Sequence, residues 1–119
     1  MSNYNIIFFE KKDSSSPVVE FIESLTPKMR AKVYRIIDLL AVNGKDLRMP
    51  FSRSLGDGIF EIRTKLASDI TRVLYFFVSG NNIILTNGFV KKTQKTPEYE
   101  IALAKKYREE YLSGKERTK

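Results

Sequence analysis

A set of cations in the second half of the chain has the residue types and spacing to act on an anion. Arg63 and Lys65 lie in "IFEIRTK", Arg72 in "ITRVLYFF", and Lys91, Lys92 and Lys95 in "GFVKKTQKTPEYE". An arginine within a run as apolar as that around Arg72 demands a reason, because a buried guanidinium without a partner is costly. Either Glu61 or Asp69 neutralises it, or a sheet face presents it to a phosphate. Neutralisation inside the core would count against phosphate chemistry at this place altogether, not only against Arg72 as a contact. The three lysines precede a helix N-terminus, whose free N–H groups themselves favour an anion.

Cations converging in this way can hold two neighbouring phosphates, offset charge developing at phosphorus, and orient a ribose 2′-hydroxyl for attack on its own 3′-phosphate. That chemistry needs neither metal nor histidine. Ordinary Lys, Arg and Tyr titrate well above neutrality, but a cluster of cations lowers the pKa of a lysine or tyrosine within it. The candidates for proton transfer are therefore Lys65 and Lys92, the Tyr99 phenol and the Glu61 carboxylate, with Arg63 and Arg72 as electrostatic stabilisers. Lys91, Lys95 and Arg53 are candidate phosphate contacts, and Phe89 is a candidate platform for a base. Each has a plainer alternative: a solvated loop for the lysines, core packing for Phe89 and Tyr99, and a counter-ion role for Glu61.

The composition points the same way. In 119 residues there are 21 Lys and Arg against 14 Asp and Glu, a formal charge of +7, which suits an anionic partner such as nucleic acid or simply a soluble surface. There is no cysteine and no histidine, so disulfides, thiolate ligands and a serine triad are excluded, and no metal or other cofactor is expected. No glycine-rich phosphate loop occurs. The first residues lack a secretory h-region and no apolar run approaches a membrane span, so a cytoplasmic protein away from the membrane is expected.

These groups need a scaffold. "YNIIFFE", residues 4–10, predicts a strand. Ser16-Pro17, Thr26-Pro27 and Thr96-Pro97 each place a hydroxyl residue at a helix N-cap with proline at the first helical position. Val18, Phe21, Ile22 and Leu25 stripe the first helix; Met29, Val33, Ile36, Ile37 and Leu40 stripe the second, with Asn43-Gly44 as its stop. The two form a helical hairpin. Residues 45–58 predict a connecting loop. Three antiparallel strands follow, over "IFEIRTK", "ITRVLYFFVSG" and "NNIILTNGFV", the last two central. A helix from Pro97 carries Tyr99, Leu103, Tyr107 and Tyr111 on one side. The fold class is α+β, with residues 1–112 as a single domain and 113–119 as a disordered basic tail.

Layout and residues together resemble the RelE/ParE superfamily of bacterial toxins, more narrowly its HigB-like branch with the phage-derived Gp49-like proteins. "IFEIRTK", "ITRVLYFF" and above all "GFVKKTQKTPEYEIALA" carry the resemblance. It implies a RelE-like toxin fold and a ribosome-dependent mRNA endoribonuclease acting on messenger RNA in the 70S ribosome. It also implies a HigA-like antitoxin, commonly with a helix-turn-helix, in a heterodimer or heterotetramer. Arg63 and Arg72 match the strand cations, Lys91, Lys92 and Lys95 the basic run, Phe89 a site aromatic, and Tyr99 a further position. Where many relatives place a histidine, near Asn87, this chain has none. The ParE branch, which inhibits DNA gyrase by binding, and a non-catalytic RNA-binding protein are the alternatives.

Overall fold

The computed structural model describes residues 3–91 and 95–117, the side chains of 115–117 excepted. Strand β1 (Asn5–Phe8) leads into helices α1 (Pro17–Glu23) and α2 (Pro27–Asn43), a 3₁₀ turn at Gly44–Asp46, strands β2 (Ser52–Gly56), β3 (Ile59–Leu66), β4 (Asp69–Val78) and β5 (Asn82–Val90), and helix α3 (Glu98–Arg117). The class is α+β, as the sequence pattern predicts. The sheet has the order β1-β5-β4-β3-β2, antiparallel except where β1 runs parallel to β5.

Both short helices begin as expected. The Ser16 hydroxyl accepts from Val19 N and the Thr26 hydroxyl from Met29 N, each followed by proline at the first helical position. Gly44 ends α2 with φ +50°, its N–H bonded to Leu40 O. The apolar stripes of α1 and α2 close one face of the sheet, where Val18, Ile22, Val33 and Leu40 meet Ile62, Val73, Tyr75, Ile83 and Leu85 in a buried core. Helix α3 covers part of the other face, setting Ala104 and Tyr107 against Phe9, Ile59, Leu74, Phe76 and Ile84.

The structure corrects three details. The expected loop over 45–58 contains the edge strand β2, whose "SRSLG" has too little apolar alternation to announce itself. Thr96 is not spent on a helix cap: α3 starts at Glu98 and the Thr96 hydroxyl turns inward. The last helix also continues to Arg117, through part of the segment expected to be disordered; a helix already nucleated over four turns extends at little cost.

One local irregularity decides what faces where. Between Leu74↔Asn87 and Tyr75↔Leu85 the β4–β5 register slips, leaving Thr86 as an extra residue on β5. The Thr86 hydroxyl bonds Leu74 O and Asn87 Oδ1 there. The bulge reverses the phase of the strand. Ile84 faces α3 before it; Asn87, Phe89 and Lys91 share that face after it. The intervening Gly88 then points at α1, where a Cβ would lie 2.4 Å from a ring carbon of Phe21. Gly88→Ala is expected to lose about 1–3 kcal/mol through overpacking, read as a lower urea midpoint with unchanged slope.

A cationic candidate site anchored by a buried carboxylate

Strand pairing gathers the cations. Arg63 lies opposite Arg72, Arg72 opposite Phe89, and Arg53 of β2 opposite Glu61. Lys91 follows the last residue of β5, its N–H bonded to Ile70 O at 2.7 Å. All of them share the face that α3 covers only in part. Glu100, in the first turn of α3, meets Asn87 Nδ2 at 3.0 Å through Oε1. The helix then passes over Leu74 and Phe76, away from the end where Arg63, Lys65 and Lys91 stand.

At the centre is Glu61, which is 0% exposed. Its Oε2 receives Arg53 Nε at 2.9 Å and Arg72 Nη1 at 3.0 Å, while Oε1 receives the Thr96 hydroxyl at 2.6 Å and Arg72 Nη1 at 3.2 Å. Arg72 Nη1 also donates to the Thr96 hydroxyl. Both carboxylate oxygens are thus fully used. This network joins β2, β3 and β4 to the segment that enters α3, and the Thr-Pro step owes its position to it.

Two expectations change as a result. Arg72 is 1% exposed and held by Glu61 in the core, so it does not reach outward as a phosphate grip. Of the two readings its sequence context allowed, the structure has the ion pair. Glu61 is the buried counter-ion rather than a proton-transfer group, since neither oxygen is open to a substrate.

The cations left at the surface are arranged around this anchor. Arg53 gives only Nε to Glu61, and its side chain is 38% exposed. Arg63 is half-buried and carries a buried Nε with no hydrogen-bond partner. Two guanidinium groups, Arg53 and Arg72, occupy the one carboxylate, and Arg63 has none among the described residues. Lys91 is half-buried, and its ammonium pKa is pushed below the ordinary lysine value, first by burial and then by Arg72, Arg63 and Arg53. It was expected only as a phosphate contact; its neighbours make it the lysine of depressed pKa. Lys65 and Lys95 are exposed. Lys92 lies outside the described residues.

The aromatics divide. Phe89 is half-buried, packs beside the core under α3 and lies opposite Arg72 in the β4–β5 pairing. Tyr99 stands 72% exposed in the first turn of α3, not in the apolar row of Leu103, Tyr107 and Tyr111 where its spacing predicted it. Asn87 is buried and ties β5 to α3 through Glu100. Among the described residues no group of three or more carboxylates is placed to hold a metal ion, and no helix is long and apolar enough to cross a membrane. The arrangement can bind phosphates, with guanidinium groups set by a buried anchor and a lysine whose pKa is lowered beside them.

A model of the family described as phage-derived protein Gp49-like (DUF891) matches residues 20–109, well over half of the chain. It is a family of RelE/HigB-like toxins, the toxin halves of toxin–antitoxin pairs, each with an antitoxin for a partner. No curated protein shows significant similarity.

Proposed function

The chain belongs to the phage-derived Gp49-like family, and on that basis we propose that it is the toxin of a type II toxin–antitoxin pair that cleaves messenger RNA on the translating 70S ribosome. The observation that carries this reading is the excess of guanidinium over carboxylate on one open sheet face: Arg53 and Arg72 share Glu61, and Arg63 has no counter-ion among the described residues. A chain of phosphates supplies the missing negative charge.

Arg63 and Arg53 hold consecutive phosphates, Lys65 and Lys95 extend the track, and Phe89 offers its ring to a base. Arg72 acts through Glu61 by fixing where Arg53 lies. The neutral amine of Lys91 takes the proton of a ribose 2′-hydroxyl; the 2′-oxygen bonds to phosphorus, and the bond to the 5′-oxygen breaks. That oxygen leaves with a proton from solvent or from Tyr99, giving a 2′,3′-cyclic phosphate and a 5′-hydroxyl. Lys92 remains a candidate partner in the transfer. The antitoxin is then a HigA-like protein with a helix-turn-helix that shields this face in a heterodimer or heterotetramer.

Neutralisation of Arg72 in the core favours a second reading, inhibition of DNA gyrase by binding, because it removes one of the cations a nucleolytic site would use. Mapping message ends on translating ribosomes separates the two. The pH profile tests the assignment of Lys91. A general base with a lowered pKa gives single-turnover cleavage that rises about tenfold per pH unit below that pKa and then levels. Lys91→Arg, which keeps the charge and cannot lose it near neutrality, is expected to be slow and flat over about pH 6.5–8.5.

A further inference from the structure

Beside the cationic face, next to the start of β2, where β3 runs on paired only with β4, lies a cavity of about 270 Å³. Ile36, Phe51 and Ile70 form its apolar walls, and its charged lining among the described residues consists of Lys32, Arg63 and Lys65, with no carboxylate. Sites for drug-sized ligands run from roughly 300 to 1,000 Å³, so the occupant is smaller. Its walls call for a flat apolar body and its rim for negative charge.

The backbone adds a second requirement. Arg63 N–H bonds Phe51 O at 2.8 Å, the last link between β3 and the β2 side. Strand alternation sends the N–H and C=O of Lys65 in the same direction, past the start of β2, where the sheet has no further strand. The cavity is therefore flanked by an open donor and acceptor. Arg63, whose buried Nε has no partner among the described residues, lines the cavity and also belongs to the cationic face.

We propose that this cavity is a nucleobase subsite: one base of the bound RNA stacks on Phe51 against Ile36 and Ile70, its polar edge reaches the β3 backbone at Lys65, and Arg63 holds the adjoining phosphate. The inference rests on the reading of the neighbouring face as an RNA site and adds to it the element that distinguishes one base from another. Phosphate contacts position a nucleic acid without reading it, and discrimination comes from contacts to the base.

The test uses the full chain without ribosomes. Each of the four nucleoside 5′-monophosphates, ribose 5-phosphate and inorganic phosphate is titrated while the backbone amides are followed by NMR. The nucleotides are expected to move Phe51, Lys65 and Ile70, to differ among the four bases, and to bind on the order of tenfold more tightly than ribose 5-phosphate, the effect of stacking one base. Phe51→Ala is expected to erase the difference between nucleotide and ribose 5-phosphate, and Phe51→Tyr to retain it, so a folding defect is told apart from a lost platform. Equal binding of nucleotides and ribose 5-phosphate overturns the subsite, as does an acidic peptide that moves these amides when nucleotides do not. Nucleotides that move Phe51 alongside intact message on ribosomes support the subsite and remove the cleavage reading. Cut message with Phe51 untouched removes the subsite alone.

Discussion

Glu61→Gln is expected to cost about 3–5 kcal/mol, the loss that follows when one partner of a buried ion pair is removed and the other stays charged in the core. Domains of this kind are stable by roughly 5–15 kcal/mol in total, so the variant should melt far below the parent. Glutamine keeps the volume of Glu61 and one acceptor oxygen, which isolates the effect of charge. Arg72, 1% exposed, then loses the charge of Glu61, and one of the two contacts that Arg53 and the Thr96 hydroxyl make with the separate carboxylate oxygens is lost. The double variant Glu61→Leu with Arg72→Met is expected to recover most of the stability, because apolar side chains of similar size replace buried pairs at little or no cost. Chemical denaturation of the three proteins checks this, and a double variant as unstable as Glu61→Gln would show that the pair is not the cause.

The second large effect is on binding. Arg63→Ala combined with Lys91→Ala leaves the Glu61 network intact and removes two cations from the face. Each phosphate neutralised on a single strand contributes about −0.7 to the slope of log affinity against log salt. The double variant should therefore show a slope about 1.4 less negative for single-stranded RNA, with the far-UV spectrum and urea midpoint close to those of the parent. Removing the buried Nε of Arg63, which has no partner among the described residues, carries no stability cost of its own. An unchanged slope would place the RNA on another surface.

Much of the scaffold was legible because it depends on local rules. Ser16-Pro17 and Thr26-Pro27 cap their helices, the stripes of α1 and α2 face the sheet, and the apolar runs become β4 and β5, central in the sheet. What escaped was set by pairing between distant segments. Strand β2 exists because β3 has an open edge, not because "SRSLG" prefers to be a strand. The Thr86 bulge shows only in the register of β5 against β4, yet it decides that Phe89 and Lys91 face Arg72 rather than α1. The fate of Arg72 was posed correctly by sequence, as buried pair or phosphate grip, but the choice hung on whether Glu61 and Thr96 point at it from two other segments. They do. Tyr99 departs from its apolar spacing because it stands exposed at the start of α3, while Glu100, the next residue, holds Asn87 of the sheet.

The same geometry explains how a site can rest on a charge that never touches its ligand. Arg72 and Thr96 hold Glu61, Glu61 holds Arg53, and Arg53 is the member that meets solvent. Thr96 also fixes the point from which α3 departs, and so how much of the sheet face stays open. Positioning through fixed hydrogen bonds of this kind lets a cationic surface act without reorganising when phosphate arrives.

Whether the open cationic face cuts RNA is decided by mapping message 5′ ends by primer extension on translating ribosomes, with the parent chain and with Arg63→Ala, which leaves the Glu61 anchor in place. New ends inside codons with the parent, reduced at least a hundredfold by the substitution on the order expected for loss of an electrostatic contact in phosphate chemistry, are the predicted result. Intact message in both, together with arrested DNA gyrase, would contradict it.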